Sequence, residues 1–249
     1  METSRIEKKI AIDRSRLISI GILIALMCVA TISNPAFLSP ANLLGILEQN
    51  AAKGVMALGA TFVLITGGID LSMGNGLTMI AVTASILHVS SGEHGFTLVL
   101  LCILIGAALG SVNGFLITKL RLLPFVATLG MMTVAEGITH WASEGKIMFL
   151  DSPVVSYIGR GKVFGVFPFQ ALVFLLMAVL AAVILYRTQL GTATYALGSN
   201  EEAASFCGIN TSKQKFKIYV LNGIFIGVAA LLTVSRVGQI SPNLGGDSM

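Results

Sequence analysis

Charged residues are scarce in this sequence. Aspartate, glutamate, lysine and arginine make up 11% of its 249 residues, and hydrophobic residues make up 55%. Ordinary soluble domains carry about 25% charged residues. This deficit, with a mean hydropathy of +0.86, predicts a membrane protein that crosses the bilayer several times.

Motifs for several kinds of chemistry are also missing from the sequence. It contains no GxxxxGK[ST] pattern, so it does not bind ATP through a phosphate-cradling loop of that type. The three histidines are isolated and the three cysteines have no metal-ligand or disulfide spacing, so we predict neither a metal site nor catalytic residues. No basic patch alternates with aromatic residues, so nucleic-acid binding is not expected.

Seven apolar runs are long enough to suggest membrane spans. They cover about residues 17–32, 51–66, 71–89, 96–118, 124–141, 169–186 and 218–234. A short interfacial helix is expected near Ser39, with Pro40 at its first position. In the fourth run, Gly106, Gly110 and Gly114 form two overlapping GxxxG patterns, which predict the close approach of another helix.

The basic residues indicate an orientation. With the N-terminus in the cytoplasm, eleven of the 16 lysines and arginines fall on the inner side, as the positive-inside rule requires. This assigns residues 1–16 to a cytoplasmic segment, 17–235 to a transmembrane domain with a cytoplasmic loop at 187–217, and 236–249 to a tail.

The segment GGIDLSMGNG, Gly67 to Gly76, interrupts two of these apolar runs. One interpretation is a tight turn in which Asp70 or Ser72 caps the next helix. The other is a broken helix that lines a path for a polar solute. Residues that could line such a path are Gly67, Gly68, Asp70, Ser72, Asn75 and Thr78. Composition alone does not choose between the two, although Asp70 is better explained as a cap or loop anchor than as a ligand.

Glu136 lies within the fifth run, one helical turn before His140. An ionisable group in a span faces the bundle interior or water, so Glu136 is a candidate path residue. The alternative is that both residues lie in the outer interface beside Trp141.

The loop after the sixth run carries ALGSNEEAASFCGIN. Asn200 is a plausible N-cap, Glu201 and Glu202 suit the first turn of a helix, and Gly208 suits its end. We therefore predict a short amphipathic helix over Ser199–Gly208, which is either an ordinary connection or a docking element for a cytosolic partner.

Together, the segments GGIDLSMGNG and ALGSNEEAASFCGIN resemble the permease subunit of bacterial ribose/xylose-type ATP-binding-cassette importers. The similarity extends through NPAFLSPANLL, GSVNGFLITKLRLLPFVATLGMMTVAEG and RTQLGTATYALGSN, which covers nearly the whole chain. The EAAxxxG pattern formed by Glu202, Ala203, Ala204 and Gly208 resembles the loop that docks such permeases on their ATPase. The resemblance assigns ATPase coupling to Gly198, Asn200, Glu202, Ala203, Ala204 and Gly208.

The resemblance also implies partners: a cytoplasmic ATPase subunit that binds the ATP and magnesium, a second permease copy, and a periplasmic or lipid-anchored sugar-binding protein. This chain itself would bind no cofactor. Such permeases have about ten spans, so a chain with seven is expected to be truncated. Where the family is expected to have arginine before the glycine of the fifth span, this sequence has Glu136-Gly137.

We therefore predict an all-α, multi-pass bundle in the bacterial inner membrane that imports a monosaccharide and is not an enzyme. Two alternatives remain open from the residues. One is a solute transporter driven by an ion gradient, and the other is a membrane-embedded enzyme acting on a lipid-linked substrate.

Overall fold

The structure is a computed structural model, and it describes residues 2–90, 95–144, 146, 148–150 and 152–240. Most of the predicted C-terminal tail (236–249) lies outside these residues. The helices are α1 Glu2–Ser33, α2 Pro40–Ile65, α3 Met73–Ser90, α4 Gly95–Thr118, α5 Pro124–Ser143, α6 Pro153–Arg160, α7 Phe169–Arg187, α8 Gln189–Ser199, α9 Glu201–Phe206 and α10 Thr211–Val237, with a 3₁₀ helix at Pro35–Leu38. The strands are β1 Met148–Phe149, β2 Lys162–Val163, β3 Phe167–Pro168 and β4 Gln239–Ile240.

The strands have two residues each and form two antiparallel pairs, β1 with β4 and β2 with β3. Because the other elements are helices, the prediction of an all-α membrane bundle is confirmed. The chain divides into two compact units, Met1–Leu47 and Glu48–Met249.

The first unit contains α1, the 3₁₀ helix and the beginning of α2. The Asn34 side chain caps the 3₁₀ helix by accepting a hydrogen bond from the Ala36 N–H at 3.0 Å. Asn42 donates from Nδ2 to the Phe37 carbonyl oxygen at 2.7 Å. These bonds satisfy backbone groups at a proline-interrupted junction that would otherwise lack partners.

The second unit is built around the antiparallel pair α4 and α10. A Cβ added to Gly106 would lie 2.3 Å from the Gly223 carbonyl oxygen, and one added to Gly110 would lie 2.2 Å from the Tyr219 oxygen. The two backbones can approach this closely only because these positions carry no side chain. The close helix approach predicted from the GxxxG patterns is confirmed, and α10 supplies its own pattern in Gly223 and Gly227.

The remaining elements of this unit pack around that pair. Helix α3 contacts α4, α5 and α10, α6 packs on α10, and α8 packs on α7. Fully buried apolar side chains fill the centre, among them Phe62, Ile80, Leu98, Phe225 and Leu232. Phe62 on α2 and Phe225 on α10 pack with their rings tilted by 43° at a centroid distance of 5.9 Å, which holds the two helices together.

The structure corrects several predicted boundaries. The short interfacial helix near Ser39 and the span from residue 51 are one helix, Pro40–Ile65, because Pro40 starts it and the glycines that end it, Gly67 and Gly68, come only after residue 65. The predicted docking helix Ser199–Gly208 is shorter, Glu201–Phe206. Helix α10 begins at Thr211 instead of residue 218, because Asn210 caps it by accepting from the Lys213 N–H.

Among the described residues, three helices are long and apolar enough to cross a membrane. They are Gly95–Thr118, Phe169–Arg187 and Thr211–Val237. Shorter apolar helices cover Leu17–Ser33 and Met73–Val89. These helices agree with several of the predicted spans.

Candidate functional site

Helix α2 ends at the glycine break in a Schellman motif. The Gly68 N–H donates to the Val63 carbonyl at 3.1 Å, and the Gly67 N–H donates to Leu64 at 2.9 Å. Gly67 has a φ of +75°, a left-handed conformation that suits glycine. The motif satisfies the last carbonyls of α2 and turns the chain towards α3.

Asp70 organises the rest of the break. Its Oδ1 atom accepts hydrogen bonds from the Ser72 N–H at 2.9 Å and from Ser72 Oγ at 2.6 Å, which is an Asx turn. The Ser72 carbonyl accepts the first bond of α3, from Gly76 at 2.7 Å. Asp70 thus shapes the turn two residues before the helix cap.

The same carboxylate is tied to the α4–α10 pair. Asn222 on α10 donates from Nδ2 to Asp70 Oδ2 at 2.8 Å. Asn113 on α4 donates to Ser72 Oγ at 2.8 Å. Asp70 is 7% exposed, Ser72 and Asn222 are fully buried, and Asn113 is 1% exposed. We call these four residues the buried polar cluster.

Burial makes this cluster energetically important. A buried carboxylate is costly unless donors surround it, and here three protein donors reach the two Asp70 oxygens. The Tyr219 hydroxyl of α10 packs against the same turn, because a Cβ added to Gly68 would lie 2.9 Å from its oxygen. The cluster therefore locks the break against two helices that are distant in sequence.

Asn75 and Glu136 form a separate polar pair. The Asn75 Nδ2 atom on α3 donates to Glu136 Oε2 on α5 at 3.2 Å and to the Met132 carbonyl at 3.3 Å. Asn75 is half-buried and Glu136 is exposed. This places an amide and a carboxylate side by side on the surface where α3 meets α5.

The other predicted path residues lie elsewhere in this conformation. Thr78 is 3% exposed, and its hydroxyl donates to the Gly74 carbonyl of its own helix at 3.4 Å. Gly68, Asp70 and Ser72 are also buried, whereas Gly67 is exposed. The structure thus brings together Asn75 with Glu136, and Asp70 with Ser72, at two different places.

The predicted coupling residues surround α9. The Asn200 side chain accepts from the Ala203 N–H at 2.9 Å, so the predicted cap is confirmed. A second Schellman motif ends the helix: the Ile209 N–H donates to Ala204 at 3.1 Å, and Gly208 donates to Ser205 at 3.0 Å. Gly208 has a φ of +84°, as the predicted terminator requires.

Helix α9 is fastened on one side and exposed on the other. Ala204 is 4% exposed, and Lys215 on α10 forms an ion pair with Glu201 at 2.7 Å. Glu202, Ala203 and Gly208 face solvent, and the Phe206 side chain is 84% exposed. The Phe206 side chain is therefore accessible to another molecule on the exposed side of α9.

Gly198 joins the coupling segment to the glycine break. A Cβ added to Gly198 on α8 would lie 1.8 Å from the Ile65 carbonyl oxygen and 3.6 Å from the Thr66 Cα. The backbones of α8 and the end of α2 therefore touch directly, one residue before the turn begins.

Sequence reasoning missed Asn113, Asn222 and Phe206. Each asparagine stands beside a glycine in an otherwise apolar helix, and a lone amide at such a position is a readable signal for an interhelical hydrogen bond. Its partner on another helix could not be read from the pattern.

Comparison with known proteins gives a family and several relatives. The family model described as "Branched-chain amino acid transport system / permease component" matches residues 42–249. The chain is 40% identical over 227 residues to the Ribose import permease protein RbsC of Bacillus subtilis, covering 90% of this chain and 69% of that protein. No solved structure gave a significant match.

Two further relatives carry related names. The Ribose import permease protein RbsC of Escherichia coli K12 is 34% identical over 238 residues, covering 94% of this chain and 72% of the relative. The Galactose/methyl galactoside import permease protein MglC of Salmonella typhimurium is 32% identical over 242 residues, covering 90% and 72%.

Proposed function

The chain belongs to the branched-chain amino acid transport system / permease component family, and from that premise we propose that it is the membrane subunit of an ATP-binding-cassette importer for a monosaccharide such as ribose. It carries the sugar through the bilayer, and a separate ATPase subunit supplies the energy. The chain makes no covalent change to the solute.

Family membership confirms the resemblance predicted from the motifs. The chain is a multi-pass protein of the bacterial inner membrane, as predicted. The names of the relatives, which include ribose and galactose import permeases, support a sugar as the solute.

One contact carries the proposal: Gly198 of α8 lies against the Ile65 carbonyl at the end of α2. A cytoplasmic loop that an ATPase moves must transmit its displacement to the transport path. Packed backbones transmit displacement because neither can yield without a clash. The contact therefore gives α8 and α9 a direct route to the glycine break.

Helix α9 is the proposed docking element for the ATPase. Its cap, its Schellman motif and the Lys215–Glu201 ion pair hold it in place, while Phe206 and Glu202 face outward. A rigid helix with an exposed aromatic side chain is a suitable anchor for a partner surface. ATP and magnesium are proposed to bind to the ATPase, with no cofactor on this chain.

The Asn75–Glu136 pair is the proposed polar lining of the path. An amide and a carboxylate offer both donor and acceptor atoms to sugar hydroxyls. Ionisable residues in a span face the interior or a water-filled cavity, so this surface is proposed to face the path between two permease copies. The buried polar cluster then acts as the fixed support of the path.

The proposed topology follows the sequence prediction. Seven spans begin from a cytoplasmic N-terminal segment (1–16), the transmembrane domain covers 17–235 with the coupling loop 187–217 inside, and 236–249 forms the tail. A sugar-binding protein is proposed to dock on the outer side of the membrane.

Affinity purification of the tagged chain from membranes tests the proposal. We expect an ATPase subunit to co-purify and its ATP turnover to rise with a sugar-loaded binding protein. Sugar uptake that needs no ATPase and ends when the ion gradient is collapsed would contradict the proposal.

A matched pair of variants sharpens this test. Glu202→Lys reverses a charge on the exposed side of α9 and should remove the ATPase while the chain stays in the membrane. Glu144→Lys reverses an exposed charge after α5 and should retain the ATPase. Equal co-purification from both variants would argue against α9 as the docking element.

A further inference from the structure

A cavity of about 710 Å³ lies where α7, α8 and α10 meet. Arg187, the last residue of α7, and Lys217, in the second turn of α10, both line it. Within the part of the chain that the structure describes, neither of them forms an ion pair with an acidic side chain. Two unneutralised cations in one cavity favour an anionic occupant.

The beginning of α8 adds to this positive field. Thr188 caps the helix by accepting from the Gly191 N–H at 3.3 Å, and Gln189 and Leu190 follow as its first helical residues. The N–H groups of a first turn have no carbonyl partner within the helix. Thr188, Gln189 and Leu190 all line the cavity, so the N–H groups of this first turn can donate to a phosphate there.

An apolar stripe leads along α7 to the same place. Leu176, Val179, Leu180 and Val183 are 46–62% exposed, and their spacing of three and four residues puts them on one face of the helix. Tyr186 follows at 75% exposure and also lines the cavity. Aromatic residues concentrate at the level of lipid headgroups.

We propose that this cavity binds the phosphate of an anionic phospholipid, with Arg187 and Lys217 as its cationic contacts and the acyl chains along the α7 stripe. The stripe favours a lipid over a free phosphate, because only a lipid has acyl chains that can pack on an apolar helix face. It also favours a lipid over an acidic protein segment. The inference is independent of the transported solute, and it adds a lipid requirement to the proposed permease.

Thermal unfolding in detergent tests the site directly. The purified full chain is measured with added phosphatidylglycerol, with added phosphatidylcholine and with inorganic phosphate. Ligands that bind only the folded state raise the midpoint. We expect phosphatidylglycerol to raise it by at least about 2 °C more than phosphatidylcholine, a measurable shift for a chain of this size, and inorganic phosphate to have no effect.

Variants locate the effect within the chain. Arg187→Gln combined with Lys217→Gln should abolish the difference between the two lipids, and the charge-preserving Arg187→Lys should retain it. Lys162→Gln, in β2 and before the other end of α7, is the control and should behave as the unmodified chain. Because each variant serves as its own reference in phosphatidylcholine, a general loss of stability does not imitate the result.

Two outcomes would overturn the proposal: the lipid difference persists in the double variant, or inorganic phosphate alone raises the midpoint as much as phosphatidylglycerol does. If the double variant keeps the lipid difference and also loses the co-purifying ATPase, the cavity binds an acidic group of the partner instead.

Discussion

Gly198 and the Ile65 carbonyl oxygen are so close that a single added methyl group would lie 1.8 Å from the oxygen. Gly198 belongs to the segment predicted to receive the ATPase, and Ile65 is the last residue of α2, two residues before the glycine break. The predicted coupling segment is thus in backbone contact with the helix that leads into the glycine break, more than 120 residues earlier in the chain.

Gly198→Ala is therefore expected to impair uptake. Overpacking a close contact costs about 1–3 kcal/mol, and about 1.4 kcal/mol corresponds to a tenfold change in an equilibrium. We expect uptake of radiolabelled sugar to fall about tenfold at an equal amount of protein in the membrane. Gly21→Ala is the control, because no atom lies within 4 Å of an added Cβ there; similar losses in both variants would refute the contact.

Asn222→Ala should destabilise the fold. It leaves the Asp70 carboxylate without its donor from α10, and loss of a hydrogen bond to a buried charged group costs about 1.5–3 kcal/mol. For a chain of this size we expect the unfolding midpoint to fall by roughly 3–10 °C. Differential scanning fluorimetry in detergent measures the change.

An exchange variant separates this bond from a general packing defect. Asp70→Asn with Asn222→Asp keeps one amide and one carboxylate in the pair. It should recover part of the midpoint lost in Asn222→Ala. A double variant less stable than Asn222→Ala would show that the bond is not the source of the stability.

Asn75→Cys tests the proposed path. In a chain with Cys28 and Cys207 replaced by serine, a water-soluble thiol reagent should label the half-buried position 75, and the transported sugar should slow the labelling. Thr78→Cys, on the same helix but 3% exposed, should label much less. Equal labelling of Asn75→Cys with and without sugar would exclude this face from the path.

Asn200→Ala should weaken coupling without removing the chain from the membrane. The cap that Asn200 provides to the Ala203 N–H contributes about 1 kcal/mol to helix stability, so a fraying α9 should bind the ATPase less well. We expect reduced stimulation of the co-purified ATPase by the sugar-loaded binding protein. Asn200→Ser, which retains a side-chain acceptor, should restore it; no rescue would point to another role for the amide.

Local signals allowed much of this architecture to be predicted. Gly67, Gly208 and Asn200 reveal helix ends because each satisfies backbone groups within a few residues of itself. The GxxxG pattern around Gly110 predicts a close helix contact for the same kind of reason. These features depend only on residues that are close together in the chain, so the sequence alone predicts them.

The missing parts depend on which distant residues meet. Nothing near Asp70 identifies Asn222 as its donor, and nothing near Gly198 identifies Ile65 as its neighbour, because both pairs are set by the packing of α10 and α8. The predicted start of α10 at residue 218 was wrong for a different reason. The three lysines between Thr211 and Ile218 lower the local hydropathy, so a hydropathy criterion does not detect the first two turns, although Asn210 signals the start of the helix.

Helix α10 is longer than the hydrocarbon layer of a bilayer is thick. Its 27 residues extend about 40 Å, whereas the hydrocarbon layer is about 30 Å thick. We expect the first two turns, which carry Lys213, Lys215 and Lys217, to span the difference and to stand among the headgroups. Asn222 lies about 6 Å further along the helix axis than Ile218, and we expect it within the hydrocarbon layer. Asp70 is only 7% exposed, so bulk water does not surround it. Ser72 and Asn222 on α10 must supply in advance the donors that water would have offered.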